Sequence, residues 1–200
     1  MPTKPLNVAT DKLGIIAGSG DLPREVIDTL KASKRDFFVV AFEGETDTAT
    51  VNAAPHAWFH LGKIGKAMKR LEQEAANKIV MVGRVGRPAV SALHMDYSAV
   101  RLLAKLKKLR AQGDDAIFSA IIQFLEEHKF SVVGVDEVLP ELVMPKGILG
   151  KVKPDAVAEN DMKIGTRVAK EIGLLDIGQA VIIQRGQILG VEGAEGTDRL

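Results

Sequence analysis

The chain has 200 residues, and its 27 Lys and Arg residues nearly balance its 26 Asp and Glu residues, leaving a formal net charge of +1. This balance lacks the basic excess of a nucleic-acid-binding protein, and the absence of cysteine excludes disulfides, thiolate catalysis and zinc–thiolate sites. The apolar fraction of 46% is that of an ordinary globular protein, long enough for one large domain or two small ones.

Residues 1–11 are polar and contain prolines, so we expect a flexible N-terminus. They lack the apolar core of a signal peptide, and no later run reaches the length of a membrane span. A single Trp and a single Tyr argue against base stacking on aromatic platforms. These features predict a cytoplasmic protein.

A short apolar run at 13–17 leads into a glycine turn and then into a helix. Asp21 is a good N-cap and Pro23 is tolerated in a first turn, so the segment predicts a strand, a tight loop and a helix. Glycines let the backbone approach a ligand, and the N–H groups at a helix N-terminus favour an anion such as a phosphate. The candidate phosphate-binding residues are therefore Gly18, Ser19, Gly20 and Asp21. A glycine turn that only connects two elements is the alternative.

The dinucleotide fingerprint G-x-G-x-x-G is incomplete here, because its third position is occupied by Arg24 or its neighbours rather than glycine. An NAD-linked oxidoreductase therefore rests on the opening turn alone. Asp21 adds a second constraint, since a carboxylate in a phosphate loop repels its ligand unless it caps the helix or carries a cation.

Apolar and helical patterns alternate through the next part of the chain. They predict a helix at 22–33, a strand at 37–42, a polar loop at 43–55, a strand at 57–61, a helix at 64–76 and a strand at 78–82. Strands separated by helices pair in parallel through right-handed crossovers, which predicts a Rossmann-like sheet covered on both faces. Because ligands sit beyond the carboxyl ends of such strands, we expect the loops 18–21 and 83–88 to line one crevice.

The loop 83–88 places Arg84 and Arg87 among Gly and Pro directly after a strand. A guanidinium group offers a planar fork of donors that matches phosphate oxygens, so both arginines are candidate ligands of a phosphate or pyrophosphate. A solvent-facing basic loop is the alternative.

A helix predicted at 99–111 has one apolar face and a largely cationic opposite face. A solvated face is the ordinary explanation, and attraction to an anionic membrane is the alternative. Gly113 ends this helix, and one of Asp114 and Asp115 caps a strongly apolar, largely buried helix at 116–125. The other carboxylate is free to orient a ribose hydroxyl or a hydrated cation, although acidic residues in a first turn also favour the helix dipole.

Prolines and glycines become frequent after a strand predicted at 131–135, so we place a linker at 136–155 and a first domain at 12–135. The second domain, 156–200, carries a helix at 159–172 and strands at 179–184 and 187–191 that turn at Arg185-Gly186. One helix and one hairpin make a thin domain with an open strand edge. This suggests that further sequence or another chain completes it.

Acidic side chains recur in the predicted loops, namely Asp21, Asp114, Asp115, Glu192, Glu195 and Asp198. Magnesium takes a few carboxylates, keeps several waters and bridges substrate phosphates, so Mg²⁺ is the expected cofactor, with its ligands unassigned. His56 and His60 lack a third ligand and are interpreted as strand-edge residues. The spacings of a Walker A motif and of G-x-S-x-G are absent.

Five segments occur in a characteristic order. They are Leu13-Gly-Ile-Ile-Ala-Gly-Ser-Gly-Asp-Leu-Pro23, Val82-Gly-Arg-Val-Gly-Arg-Pro88, Gly113-Asp-Asp115, Gly147-Ile-Leu-Gly150, and Asp176-Ile-Gly-Gln179 through Val191-Glu192 to Glu195-Gly-Thr-Asp198. Together they resemble the UDP-2,3-diacylglucosamine pyrophosphatase family of lipid A biosynthesis, the type unrelated to calcineurin-like phosphoesterases. The likeness runs from Lys12 to the last residues.

The resemblance implies an α/β protein with a Rossmann-like parallel-sheet N-terminal domain, a smaller, incomplete C-terminal α/β domain, and the substrate between them. It implies magnesium-dependent attack of water on the sugar-side phosphorus, giving UMP and 2,3-diacylglucosamine 1-phosphate. In this chain the glycine turn would approach the nucleotide diphosphate, and Asp114 and Asp115 would add polar contacts. Thr197 would bind substrate at the reacting centre, beside Glu195 and Asp198 as the catalytic candidates.

The family continues beyond the length of this chain into a segment resembling K-P-G-Q-D-x-R-x-D-L-P, which holds a catalytic aspartate. We therefore expect a truncated form with impaired turnover, and a non-catalytic nucleotide-sugar binding module is the alternative. The expected partners are a UDP-linked diacylated glucosamine, the inner membrane through peripheral contact, and a second copy in a homodimer. No nucleic acid is expected.

Overall fold

The computed structural model describes residues 12–52, 54–85, 95–108 and 114–200. Contacts divide the chain into two compact units. The first unit comprises the described residues of Met1–Lys108 and Ala120–Met144, and the second comprises those of Leu109–Ser119 and Pro145–Leu200. The expected flexible N-terminus and the candidate ligand Arg87 lie outside the described residues. The domain limits 12–135 and 156–200 stay a prediction.

The first unit contains a five-stranded parallel sheet. Its strands are β1 (Leu13–Ala17), β2 (Phe37–Phe42), β3 (His56–Phe59), β4 (Lys78–Val82) and β5 (Ser131–Val133), in the spatial order β3-β2-β1-β4-β5. Leu13 in the central strand lies opposite Phe37 on one side and Lys78 on the other. The strand order reverses at β1, which is the arrangement of a doubly wound sheet. The predicted α/β class and parallel sheet are thereby confirmed.

Helices connect these strands. They are α1 (Asp21–Ala32), α2 (Thr48–Val51), α3 (Ile64–Gln73), α4 (Tyr97–Lys108), α5 (Asp114–Glu127) and α6 (Val135–Val138), with short 3₁₀ turns at Leu61–Lys63 and Pro140–Leu142. Among the described residues no helix combines the length and the apolar character needed to cross a membrane.

The core of the first unit has two layers because the strands bury side chains on both faces. One layer joins alternate residues of β1 and β2 to the apolar side of α1. The other joins the opposite face of β2 and β4 to α3, α4 and α5, with Phe124 fully buried. Near-continuous apolar runs are what a sheet covered on both faces requires.

Several predicted elements are wrong in detail. The loop 43–55 contains α2, and the last strand of the sheet ends at Val133. Helix α6 begins two residues later and extends into the predicted linker. Asp21 is the first residue of α1 rather than its cap; Gly20 occupies the N-cap position without a side-chain bond. The helix after Gly113 was expected to be largely buried, yet Phe118 in α5 is 48% exposed, because α5 packs along one side only.

The second unit contains α7 (Ala156–Leu174) and an antiparallel hairpin of β6 (Val181–Gln184) and β7 (Gln187–Val191). The turn at Arg185-Gly186 is confirmed, with φ of 50° and 78°. The Asp161 carboxylate accepts hydrogen bonds from both turn amides, at 2.7 and 2.6 Å. Helix α7 packs against β6 at Gly165, where an added Cβ would lie 3.3 Å from Ile183.

Candidate functional site

The glycine turn after β1 and the loop after β4 are joined by a pair of backbone hydrogen bonds. The Ser19 amide donates to the Arg84 carbonyl at 2.8 Å, and the Arg84 amide donates to the Ser19 carbonyl at 3.0 Å. The Ser19 hydroxyl also donates to the Arg84 carbonyl, at 3.2 Å. The two loops expected to line one crevice are therefore brought together at the carboxyl edge of the sheet.

Two glycines are required by this close approach. A Cβ at Gly18 would lie 2.3 Å from the Arg84 carbonyl oxygen, and one at Gly83 would lie 2.7 Å from the Pro23 ring. Contacts this short are sterically forbidden, so a larger residue would push the two loops apart. Both glycines therefore serve packing between the two loops, and the substrate-binding assignment of Gly18 stays a prediction. Gly83 also gives α1 the close helix-to-strand contact that the missing third glycine does not supply.

Gly20 has a different role. Its φ of 100° and ψ of −178° lie in a region that only glycine adopts readily, and no atom lies within 4 Å of an added Cβ. The backbone at the start of α1 is therefore open on that side. Asp21 follows it as an exposed residue in the first helical turn, where its charge favours the helix dipole without capping it.

The loop after β2 holds the glycine turn in place. The Gly20 amide donates to Asp47 Oδ2 at 2.8 Å. The buried Thr46 hydroxyl donates to the Ala17 carbonyl and accepts from the Phe42 amide, so it links the ends of β1 and β2. Sequence reasoning missed Thr46 and Asp47. The available signal was that both lie in the loop after a strand of a parallel sheet, and ligands of such sheets sit beyond the carboxyl ends of the strands.

These loops enclose a cleft of about 930 Å³ in the first unit. Its lining residues come from the ends of four strands, and most of them have polar side chains: Ser19, Glu43, Gly44, Glu45, Thr46, Asp47, Thr48, Trp58, Arg84 and Val85. Three acidic residues and one arginine therefore line the same cleft. Glu43 is oriented by His60, whose Nδ1 lies 3.0 Å from Glu43 Oε2.

The remaining candidates of the first half are only partly described. Arg84 is exposed and lines the cleft, a position compatible with both the phosphate ligand and the solvent-facing loop. Asp114 and Asp115 are the first two residues of α5, and their side chains lie outside the described part of the chain, as does Gly113.

Glu192, one of the acidic loop residues considered with magnesium, is a buried hydrogen-bonding centre in the second unit. Its carboxylate accepts from the Gln179 amide at 2.8 Å and from the Thr197 hydroxyl at 2.6 Å. These hydrogen bonds lower the pKa of Glu192 below its ordinary value of 4.5, and the bond from Thr197 has the largest effect. Gly178 allows the approach, since its added Cβ would lie 2.4 Å from the Glu192 carbonyl oxygen.

The tail places the other second-unit candidates around this centre. Thr197 is engaged with Glu192 and begins a 3₁₀ turn at Thr197–Arg199 that also contains Asp198. Glu195 accepts from the Gly193 amide at 3.0 Å. Glu195 and Asp198 are both exposed. Their catalytic assignment, like the substrate-binding assignment of the glycine turn, stays a prediction.

The residues that the structure describes contain no group of three or more His, Asp or Glu side chains placed to hold a metal ion. His56 Nδ1 lies 2.8 Å from the Ala54 carbonyl oxygen, and His60 lies beside Glu43, so each histidine has its own partner. The donor set of the described residues therefore does not fit a protein-only magnesium cage.

Comparisons with known proteins cover both parts of the chain. A family model described as LpxI N-terminal domain matches residues 12–142, and one described as LpxI C-terminal domain matches residues 145–200. The chain is 36% identical over 189 residues to the UDP-2,3-diacylglucosamine pyrophosphatase LpxI of Caulobacter vibrioides. The aligned part covers 94% of this chain and 67% of that relative.

Proposed function

The chain belongs to the LpxI family, and on that premise we propose that it hydrolyses the pyrophosphate bond of UDP-2,3-diacylglucosamine in lipid A biosynthesis. The products would be UMP and 2,3-diacylglucosamine 1-phosphate. The observation that carries this proposal is the 36% identity to the Caulobacter pyrophosphatase over 94% of the chain. The two family matches, at 12–142 and 145–200, include the glycine turn, the loop after β4 and the tail.

The geometry of the first unit supports the nucleotide part of the proposal. The open backbone at Gly20 stands at the N-terminus of α1, where the helix dipole favours a phosphate. Arg84 on the adjoining loop also lines the cleft, and a guanidinium group carries a fork of donors that matches phosphate oxygens. Positioning and charge stabilisation of this kind supply most of the barrier reduction in phosphoryl transfer.

Magnesium remains part of the proposal. When bound, it would neutralise diphosphate charge and activate water. Because the described residues do not form a cage of three ligands, we derive no step through the metal. Removal of divalent cations with EDTA, followed by addition of magnesium, tests the dependence. Turnover that persists in EDTA would contradict it.

The activity is tested by incubating the 200-residue chain with UDP-2,3-diacylglucosamine and measuring UMP release. The Caulobacter relative serves as the reference. Slow UMP release supports the activity and the expected impairment together, whereas turnover equal to that of the reference contradicts only the impairment. Binding of UMP without any release favours the alternative, a non-catalytic nucleotide-sugar binding module.

Two expected partners are tested separately. Flotation with vesicles of anionic inner-membrane lipids tests peripheral membrane contact, and sedimentation tests the homodimer. A chain that stays with the unbound fraction and sediments as a monomer would contradict both expectations.

A further inference from the structure

We propose that the cleft of the first unit binds the nucleoside part of the substrate, with Glu43 accepting hydrogen bonds from the ribose hydroxyls and Trp58 contacting the base. This inference rests on the proposed function for the identity of the nucleotide. It assigns the part of the ligand that the glycine turn and Arg84 do not account for.

The order of the strands places the glycine turn, Glu43 and Trp58 in a row along the carboxyl edge of the sheet. The glycine turn follows β1, Glu43 follows β2, and Trp58 lies on β3, while β1, β2 and β3 are successive neighbours in the sheet. Adjacent strands are about 4.8 Å apart, so the three sites succeed one another in steps on the order of 5 Å. A nucleotide presents phosphate, ribose and base in this same order. The sheet therefore matches the ligand part by part.

Glu43 is the carboxylate best placed for the ribose. It stands about 20 residues after the glycine turn, at the end of the strand next to β1, which is where dinucleotide-binding sheets place the acid that holds ribose hydroxyls. Its amide donates to the Phe59 carbonyl at 3.0 Å, which fixes the backbone at the cleft. Its side chain is 49% exposed and is oriented by His60.

The charge of the cleft favours the same assignment. A site built only for phosphate would gather cations, whereas this lining carries Glu43, Glu45 and Asp47 against Arg84. Carboxylates accept hydrogen bonds from hydroxyl groups and repel phosphates. Asp47 already accepts from the Gly20 amide. We assign the hydroxyl-bearing part of the nucleotide to Glu43, which His60 contacts through Oε2, because of its place at the end of β2.

Trp58 offers the apolar contact at the far end of the line. One side of the ring packs against the core layer that contains β1 and α1, and another part lines the cleft. The His56 ring meets it edge-on at 6.2 Å between centroids, which helps to fix its orientation. A fixed, half-buried aromatic ring at the edge of a polar cleft is suited to a planar base.

The test uses the single tryptophan of the chain as its reporter. UMP, 2′-deoxy-UMP and ribose 5-phosphate are titrated into the full 200-residue chain, with binding followed by Trp58 fluorescence and, independently, by calorimetry. We expect UMP to change the fluorescence saturably and 2′-deoxy-UMP to bind about tenfold more weakly, since one hydrogen bond to a charged group is lost. Ribose 5-phosphate should bind without the fluorescence change.

Two variants separate the two contacts. The Glu43→Gln variant should bind UMP about tenfold more weakly than the unmodified chain does. It should bind UMP and 2′-deoxy-UMP with equal affinity. The Trp58→Leu variant should bind UMP more weakly in calorimetry, while its affinity for ribose 5-phosphate should be unchanged. The control Glu72→Gln makes the same charge change at an exposed position on α3 outside the cleft lining and should leave all three affinities unchanged. Circular dichroism establishes that each variant is folded.

The inference is overturned if UMP does not bind, if it binds without changing Trp58 fluorescence, or if Glu43→Gln still discriminates against 2′-deoxy-UMP. Failure of the proposed function gives a different result. A chain that recognises UMP through Glu43 but releases none from the lipid substrate supports the inference and contradicts the catalysis. A chain that hydrolyses the lipid substrate but recognises UMP independently of Glu43 supports the catalysis and contradicts the inference.

Discussion

The two units of this chain are stabilised in different ways. In the first, side chains such as Ile15 and Phe124 are fully removed from water on the two faces of the sheet. In the second, Ile172 is 9% exposed, while Ile188 in the hairpin is 51% exposed. Carboxylates accept backbone amides in both units, and in the second, which buries fewer side chains, they do so at the start of α7, at the hairpin turn and at the tail.

Different interactions therefore hold the two groups of candidate residues in place. The cleft is built on strand ends anchored by apolar burial, a large and non-directional term. The tail with Glu195 and Asp198 is tied down through a few directional hydrogen bonds, each of which contributes about 1 kcal/mol. Substitutions in the core should therefore affect the first unit strongly, and changes at single carboxylates should affect the second.

A matched pair of isoleucines gives the largest expected contrast. Ile15→Ala leaves a cavity in the fully buried central strand and should cost about 2–5 kcal/mol of unfolding free energy. Ile188→Ala removes a half-exposed side chain and should cost less than about 1 kcal/mol. Urea unfolding followed by Trp58 fluorescence measures the first unit, and amide exchange of the hairpin measures the second. Equal losses at the two positions would refute the contrast.

The close backbone contacts should give an intermediate effect in both units. Gly18→Ala drives a Cβ against the Arg84 carbonyl, and Gly178→Ala drives one against the Glu192 carbonyl. Each should cost about 1–3 kcal/mol through overpacking. Gly150→Ala is the control, since no atom lies within 4 Å of its added Cβ, and it should change stability by less than about 0.5 kcal/mol. If Gly18→Ala were as neutral as the control, the two loops would not be in contact in solution.

Acidic pH should destabilise the hydrogen bonds that hold the tail, and we expect this effect to be smaller than those of the isoleucine and glycine substitutions. The pKa of Glu192 is lowered in the folded chain by hydrogen bonds from Thr197 and Gln179, so its contribution to stability is complete above pH 4.5. The contribution is lost as the pH falls through the lowered value. We expect the Gln179 amide to lose exchange protection in that range. Glu192→Gln should abolish this dependence and the exposed control Glu171→Gln should retain it; protection that is independent of pH in the unmodified chain would contradict the prediction.

Much of the first unit was predictable because its signals are local. Apolar runs marked β1, β2 and β4 closely. In the second unit, the Arg185-Gly186 turn followed from a glycine between two strand-like runs. The resemblance to the pyrophosphatase family, drawn from five segments, is confirmed by the matches to both LpxI domain models.

The errors arose where one residue type serves several purposes. Asp21 has the chemistry of a cap, but Gly20 takes the cap position because its unusual backbone conformation is needed to leave the glycine turn. Glu192 was grouped with the acidic loop residues, whereas the structure buries its carboxylate and bonds it to Thr197 and Gln179. Local sequence gives the donors and acceptors of a side chain, not the partners it meets.

The sequence by itself determined the alternation of strands and helices and the site of the glycine turn, because periodicity and backbone preference act between near neighbours. Only the tertiary structure decided that Gly20 bonds to Asp47 and Ser19 to Arg84, partners far apart in sequence. Those contacts depend on the order in which the strands assemble, and the cleft exists because that order places three loops side by side.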